Sequence, residues 1–296
     1  MVPTEIIIEL TKKCNLNCDF CYHTTNEDIK LSKEEVFQIL DDTKESEIKA
    51  VRFTGGEPFL RDDLNEILKY AKDLGLYVIL NTNGFLINEN NINFMKNVDL
   101  VLFSLHYPER AKVVKEKMEA LKDFDLKIML ATIVHKQNLE RLNYFYEFVF
   151  DINQKNFVNW FLLRPIPDPK FNLIKEDINE LYDKVVRYNK KYGTDTKIAN
   201  SLPFCVINKE LQNICAGGKY DCGRTRLMID AEGNYRLDYS SEKSFGKIKD
   251  SKILDIWNSD YFKKIRNNEL APEICQKCEF LATCNGGFLN NEYLLN

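Results

Sequence analysis

No apolar run in this 296-residue chain approaches the length needed to cross a bilayer. The amino terminus does not read as a secretory signal either: the apolar stretch at residues 6–8 is too short, and Glu5 and Glu9 flank it. A dense Lys/Arg block is missing, and the net charge is −4. That balance argues against a nucleic-acid binder, which would carry a basic face. Low-complexity segments are absent, and the chain holds no internal repeat beyond its strand–helix alternation. Histidine is limited to His23, His106 and His135, and none of them is assigned a role. These absences predict a cytoplasmic protein that engages neither membrane nor nucleic acid.

Cysteine, by contrast, is plentiful. Nine residues fall into three groups: Cys14, Cys18 and Cys21; Cys205, Cys215 and Cys222; Cys275, Cys278 and Cys284. An odd count fits a disulfide framework poorly, and a reducing cytosol disfavours disulfides. Clusters of this kind in an intracellular chain point to metal.

Short apolar runs alternate with amphipathic stretches over the first two thirds. The β-branched and aromatic content predicts strands at 5–10, 50–53, 77–81, 98–104, 127–134 and 158–163. Helices are predicted at 32–46, 62–74, 90–96, 109–122, 138–150 and 176–191. Ser32 with Glu35 makes a capping box at the start of the first. Gly75 is a stop signal for the second. The aromatic run Tyr144, Phe145, Tyr146, Phe148 and Phe150 reads as helix core. Six alternations predict an α/β fold with a parallel sheet. Six units are too few to close an eight-stranded barrel, so a partial, TIM-like (βα)6 barrel is expected. The texture then changes. Residues 226–230 and 235–239 flank a glycine-containing turn at 231–234, and 253–266 reads as one amphipathic helix. Two domains are expected, 1–196 and 197–296.

The segment Cys14-Asn-Leu-Asn-Cys18-Asp-Phe-Cys21 leaves the first strand. Three thiolates at this spacing can wrap one corner of a cubane cluster, leaving one iron open. A structural zinc site would want a fourth protein ligand, and His23 is awkwardly placed to supply it. Unrelated buried cysteines are the remaining alternative.

With aromatic Phe20 before the last cysteine, this Cys-x3-Cys-x2-Cys spacing resembles the signature of the radical S-adenosylmethionine (SAM) superfamily. The resemblance implies a [4Fe-4S] cluster on Cys14, Cys18 and Cys21 whose open iron takes the amino and carboxylate groups of SAM. An electron from the cluster would cleave the sulfonium, and the resulting 5′-deoxyadenosyl radical would take a hydrogen atom from a substrate. Thr54-Gly55-Gly56-Glu57-Pro58, after the second strand, resembles the family's SAM-amino-binding motif. Paired glycines permit close backbone approach to a ligand, and the carboxylate can accept from an ammonium; a plain glycine turn is the alternative. Asn83, in Asn81-Thr82-Asn83-Gly84, and Ser104 end the third and fourth strands, where the family places SAM contacts. A simple Asn-Gly turn and a solvent-facing serine are the other readings. Four motifs at the same strand ends match the rim on which parallel barrels build active sites. Arg164, after the sixth strand, is a candidate partner for a carboxylate of SAM or substrate.

Cys222-x10-Gly233-x4-Asp238, then Phe245-Gly246-Lys247-Ile248, Leu254-Asp255-Ile256-Trp257 and Cys275-x2-Cys278-x5-Cys284, resemble the SPASM or twitch extension of radical SAM enzymes. That extension holds one or two auxiliary iron–sulfur clusters. Asp238 and Phe288 stand where the full pattern has cysteine. Two all-cysteine cubanes need eight thiolates, and this region has six. One cluster is the simpler reading, on Cys222, Cys275 and Cys278, with Cys215, Cys284 or Asp238 as the fourth ligand. Two incompletely ligated clusters, or zinc, are the alternatives. For Asp238 the bland reading is an exposed hairpin residue. Cys205 is a further ligand, a hydrogen-atom donor as in some radical SAM epimerases, or incidental.

The resemblance implies a peptide- or protein-modifying maturase that makes thioether or carbon–carbon crosslinks, epimerises or oxidises. Flavodoxin or ferredoxin would donate electrons. A small-molecule dehydrogenase or epimerase is the second reading, and a non-catalytic iron–sulfur or zinc protein the third.

Overall fold

A computed structural model describes residues 1–22, 27–152, 156–163, 171, 173–199, 205, 221–239 and 241–285. In chain order the elements are β1 (Glu5–Glu9), α1 (Lys33–Glu45), β2 (Ala50–Thr54), α2 (Leu64–Asp73), β3 (Tyr77–Thr82), β4 (Leu100–Ser104), α3 (Ala111–Ala120), β5 (Lys127–Ile133), α4 (Leu142–Phe150), β6 (Phe157–Leu163), α5 (Lys175–Tyr192), β7 (Lys197–Ile198), β8 (Arg226–Ile229), β9 (Tyr235–Arg236), α6 (Ile253–Trp257), α7 (Asp260–Arg266) and α8 (Leu281–Cys284). The six long predicted strands are present as β1 to β6, with ends shifted by a residue or two.

One nine-stranded sheet runs in the order β7-β6-β5-β4-β3-β2-β1-β8-β9 and does not close on itself. Every neighbouring pair is parallel except β8 with β9. The fold is therefore the expected open, partial barrel. The predicted C-terminal hairpin is there too, but it extends the barrel's own sheet, with β8 paired to β1. The sequence position 196/197 falls at β7, so strand pairing continues across it.

Strand alternation sorts the side chains. Ile6, Ile8, Val51, Phe53, Val78, Leu80, Val101, Phe103, Ile128 and Leu130 are buried in one core with the helices' apolar faces. Successive strand residues point to opposite sides, so Glu5, Glu9, Arg52 and Asn81 share the other face. There Arg52 makes two hydrogen bonds to the Glu5 carboxylate, at 2.8 and 3.2 Å, and one to Asn81 Oδ1 at 3.1 Å. Burial raises the Glu5 carboxyl, but Arg52, with a smaller contribution from Arg226, outweighs it and holds the group below its ordinary range.

Local signals act as written. Ser32 Oγ accepts from Glu35 N, and Glu35 accepts from Ser32 N. Gly75, with φ 76°, ends α2. Three expectations change. Residues 92–97 form a 3-10 helix instead of an α-helix. The single helix at 253–266 is two helices, because Ser259 is extended (φ −63°, ψ 157°) and breaks the run between α6 and α7. On α4, Phe145 and Tyr146 are buried as core, but Tyr144 and Phe150 face solvent.

Candidate active site

The cysteine loop leaves β1 at Leu10 and returns at Leu31. Arg61 ties both ends: Nη1 donates to Leu10 O at 2.9 Å and to Leu31 O at 2.6 Å. Asp63 accepts from Nε and Nη2 of the same guanidinium through its two carboxylate oxygens, at 2.9 and 2.8 Å. A buried cation needs such a partner. Arg61 was not legible from motif spacing.

The glycine pair braces the same loop. Gly56 N donates to Thr11 O at 2.7 Å, and Glu57 N to Lys13 O at 2.8 Å. A Cβ on Gly55 would lie 2.4 Å from Thr11 O, and one on Gly56 2.1 Å from Lys13 O. What the glycines admit at close range here is the backbone beneath the cysteines.

Glu57 is fully buried. Its carboxylate accepts from Thr82 Oγ1 (2.8 Å), Asn83 N (2.8 Å) and Phe59 N (3.1 Å). Burial pushes its carboxyl up to about 7, although these three donors pull the other way. The side chain thus links the β2 loop to the β3 loop, with its oxygens already engaged. Asn83 continues the chain of contacts: Nδ2 donates to Asn15 Oδ1 at 2.8 Å and lies 3.9 Å from Cys14 Sγ. Ser104 is half-buried at the end of β4.

Two thiols receive N–H donors. Leu16 N lies 3.4 Å from Cys14 Sγ, and Arg110 Nη1 lies 3.3 Å from Cys18 Sγ. Donors of this kind favour sulfur in its thiolate, metal-ligating form. Phe20 is buried in an aromatic socket, with ring centroids 5.2 Å from His106, 5.2 Å from His135, 5.8 Å from Tyr107 and 6.4 Å from Phe171. Burial, then the charges of Arg110 and His135, lower the His106 imidazole to about 3. Its Nδ1 accepts from Ile133 N at 3.1 Å. His106 is therefore a neutral packing partner of Phe20, and burial lowers the His135 imidazole as well, against the charge of Asp19. His135 Nε2 is buried without a hydrogen-bond partner among the described residues.

The loop also touches the C-terminal hairpin. Tyr22, next to Cys21, donates to Glu9 Oε1 at 2.9 Å, and Glu9 Oε2 accepts from Ala231 N at 3.2 Å. Lys12 pairs with Glu232 at 2.8 Å, and the Tyr22 and Tyr239 rings are 5.5 Å apart.

The second cysteine region is less compact in sequence. Cys275 and Cys284 are buried, and Cys278 is half-buried. The Cys275 thiol is pushed up by burial, then by the charges of Cys205, Cys284 and Cys278 in that order. Cys205, an exposed residue, therefore lies within electrostatic reach of Cys275, although no three metal-capable side chains converge among the described residues. Cys222 forms a backbone bridge with Arg226 at the start of β8. Asp238 is buried, not exposed as the bland reading had it. Cys215, Arg164, His23 and Phe288 lie outside the described residues.

Among the described residues, no helix is long and apolar enough to cross a membrane. The model of the Radical SAM superfamily matches residues 8–149, and that of the SPASM iron-sulfur cluster-binding domain matches residues 215–279. PqqA peptide cyclase of Bradyrhizobium diazoefficiens is 25% identical over 97% of this chain and 81% of its own. AdoMet-dependent heme synthase of Oleidesulfovibrio alaskensis is 24% identical over 94% of this chain and 80% of its own. The structure of Streptococcus suis SuiB bound to precursor peptide SuiA shares the fold, with a TM-score of 0.77 at 18% identity, covering 97% of this chain and 72% of SuiB.

Proposed function

The chain is a radical SAM enzyme with a C-terminal SPASM-type extension, and we propose that it modifies a peptide or protein substrate. The observation that carries this reading is the near-full-length similarity to a peptide cyclase. The shared fold with a precursor-peptide-bound enzyme agrees with it.

The cofactors are a [4Fe-4S] cluster with SAM and auxiliary iron–sulfur chemistry in the extension. When bound, the first cluster supplies the electron that cleaves SAM's sulfonium and so starts hydrogen-atom abstraction. The chain's own residues have separate tasks. Cys14, Cys18 and Cys21 would hold the cluster, and the two N–H donors described above suit ligating sulfur. Arg61, Gly55 and Gly56 fix the loop that presents those thiols. Glu57 and Asn83 tie the β3 rim to the same loop, and the socket around Phe20 keeps water from its inner side. In the extension, Cys275, Cys278 and Cys284 are the ligand candidates, with Cys205 as the fourth.

Similarity to a heme synthase supports a second reading, in which the substrate is a small tetrapyrrole. One experiment separates the two. Reconstituted enzyme is reduced anaerobically with SAM and either a short peptide encoded beside its gene or a tetrapyrrole precursor. Release of 5′-deoxyadenosine with a mass change in the peptide is the expected result. A mass change confined to the tetrapyrrole would favour the second reading. No 5′-deoxyadenosine under any condition would refute the radical SAM assignment itself.

A further inference from the structure

Arg110 has no place in the motifs that mark the cluster loop, yet it reaches one of the thiols. It lies in the turn that follows β4 and precedes α3. Its Nη1 is 3.3 Å from Cys18 Sγ, within range of an N–H···S hydrogen bond. The guanidinium is held in place by stacking. It lies 4.3 Å from the Tyr107 ring centroid and 5.9 Å from that of Phe85. Tyr107 in turn stacks on Phe20 at 5.8 Å, and Phe20 immediately precedes Cys21. Arg110 is half-buried, so solvent screens its charge less than at an open surface. A planar guanidinium both stacks and donates directionally, which an ammonium does not.

We infer that Arg110 is a positioning and potential-setting residue for the SAM-binding cluster, acting through the sulfur of Cys18. The inference rests on the assignment of Cys18 as a ligand of that cluster. Its physical basis is simple. Reduction adds one negative charge to the cluster, and a neighbouring cation with an N–H···S bond stabilises the reduced form more than the oxidised form. Hydrogen bonds to the sulfurs and nearby charge are the levers by which a protein sets such a potential. Arg110 therefore makes the cluster easier to reduce and lightens the demand on the electron donor.

The test is a redox titration of the reconstituted full-length enzyme followed by electron paramagnetic resonance. The cluster in question is the one whose reduced signal changes when SAM is added. Arg110→Met removes charge and donor, and Arg110→Gln keeps an N–H donor without charge. The expected result is a midpoint shifted to more negative potential in both, further in Arg110→Met, at unchanged iron content. A midpoint equal to wild type in either iron-replete variant would overturn the inference. So would loss of the cluster from both variants under conditions where wild type retains it, since Arg110 would then hold the loop without tuning it. If wild type itself shows no SAM-responsive signal, the ligand assignment fails instead, which is a different outcome.

Discussion

Three thiols within eight residues make up the N-terminal group, whereas Cys205, Cys275, Cys278 and Cys284 of the C-terminal group are spread over some eighty residues of sequence. The first group sits on a loop braced from beneath by β2 backbone and pinned at both ends by Arg61. The second rests on short elements, a 3-10 turn at Glu273–Cys275 and α8. The contrast is between a site specified by contiguous residues at the ends of interior strands, and one that depends on thiols far apart in sequence coming together. A buried brace should therefore matter more to folding in the first region, and a single thiol more to metal content in the second.

The sharpest way to break this comparison is Arg61→Met. It leaves the buried Leu10 O and Leu31 O without their shared donor and the half-buried Asp63 without its partner, and two unsatisfied buried acceptors at about 2 kcal/mol each cost about 4 kcal/mol. Chemical denaturation should register that loss, together with poor cluster retention. Gly56→Ala comes next. Its Cβ would meet Lys13 O at 2.1 Å, and overpacking against backbone costs about 3 kcal/mol. Gly193→Ala, where no described atom lies within 4 Å but φ is 65°, is the control and should cost about 1 kcal/mol, the strain of a left-handed alanine.

Glu57 gives a smaller, pH-dependent effect. Its folded-state carboxyl is raised from 4.5 to about 7, so between those values the folded protein binds more protons than the unfolded chain. Stability then falls as pH rises, by about 2 kcal/mol between about pH 5 and about pH 7. Thermal unfolding across that window should show the slope, and Glu57→Gln should flatten it. The smallest effect on folding belongs to Cys205→Ala. We expect unfolding within about 0.5 kcal/mol of wild type but a clear loss of auxiliary-cluster iron, whereas Cys222→Ala should retain that iron. The reverse pattern would make Cys222 the ligand.

What the sequence revealed follows the same division. Short runs of β-branched residues such as Ile6, Ile7 and Ile8 announced the strands, because a strand within a parallel sheet is covered on both faces. The spacing of Cys14, Cys18 and Cys21 is local, so it is readable. β7 is two residues long, too short for any periodic signal. The break between α6 and α7 was hidden because Ile253, Ile256, Trp257, Phe262 and Ile265 are all buried, and the apolar pattern continues through the extended Ser259. Arg61 and Arg110 act through contacts 30 to 92 residues away, which leave no local trace. The glycine pair was visible, but the surface it approaches is the cysteine loop's own backbone, and only the fold shows that.

Iron and sulfide analysis of anaerobically reconstituted protein tests most directly whether two separate sets of thiols hold two separate clusters. The account predicts about eight irons per chain in wild type and about four when Cys14, Cys18 and Cys21 are all replaced by alanine, each cubane carrying four. Undiminished iron in that triple variant, or only about four in wild type, would contradict it.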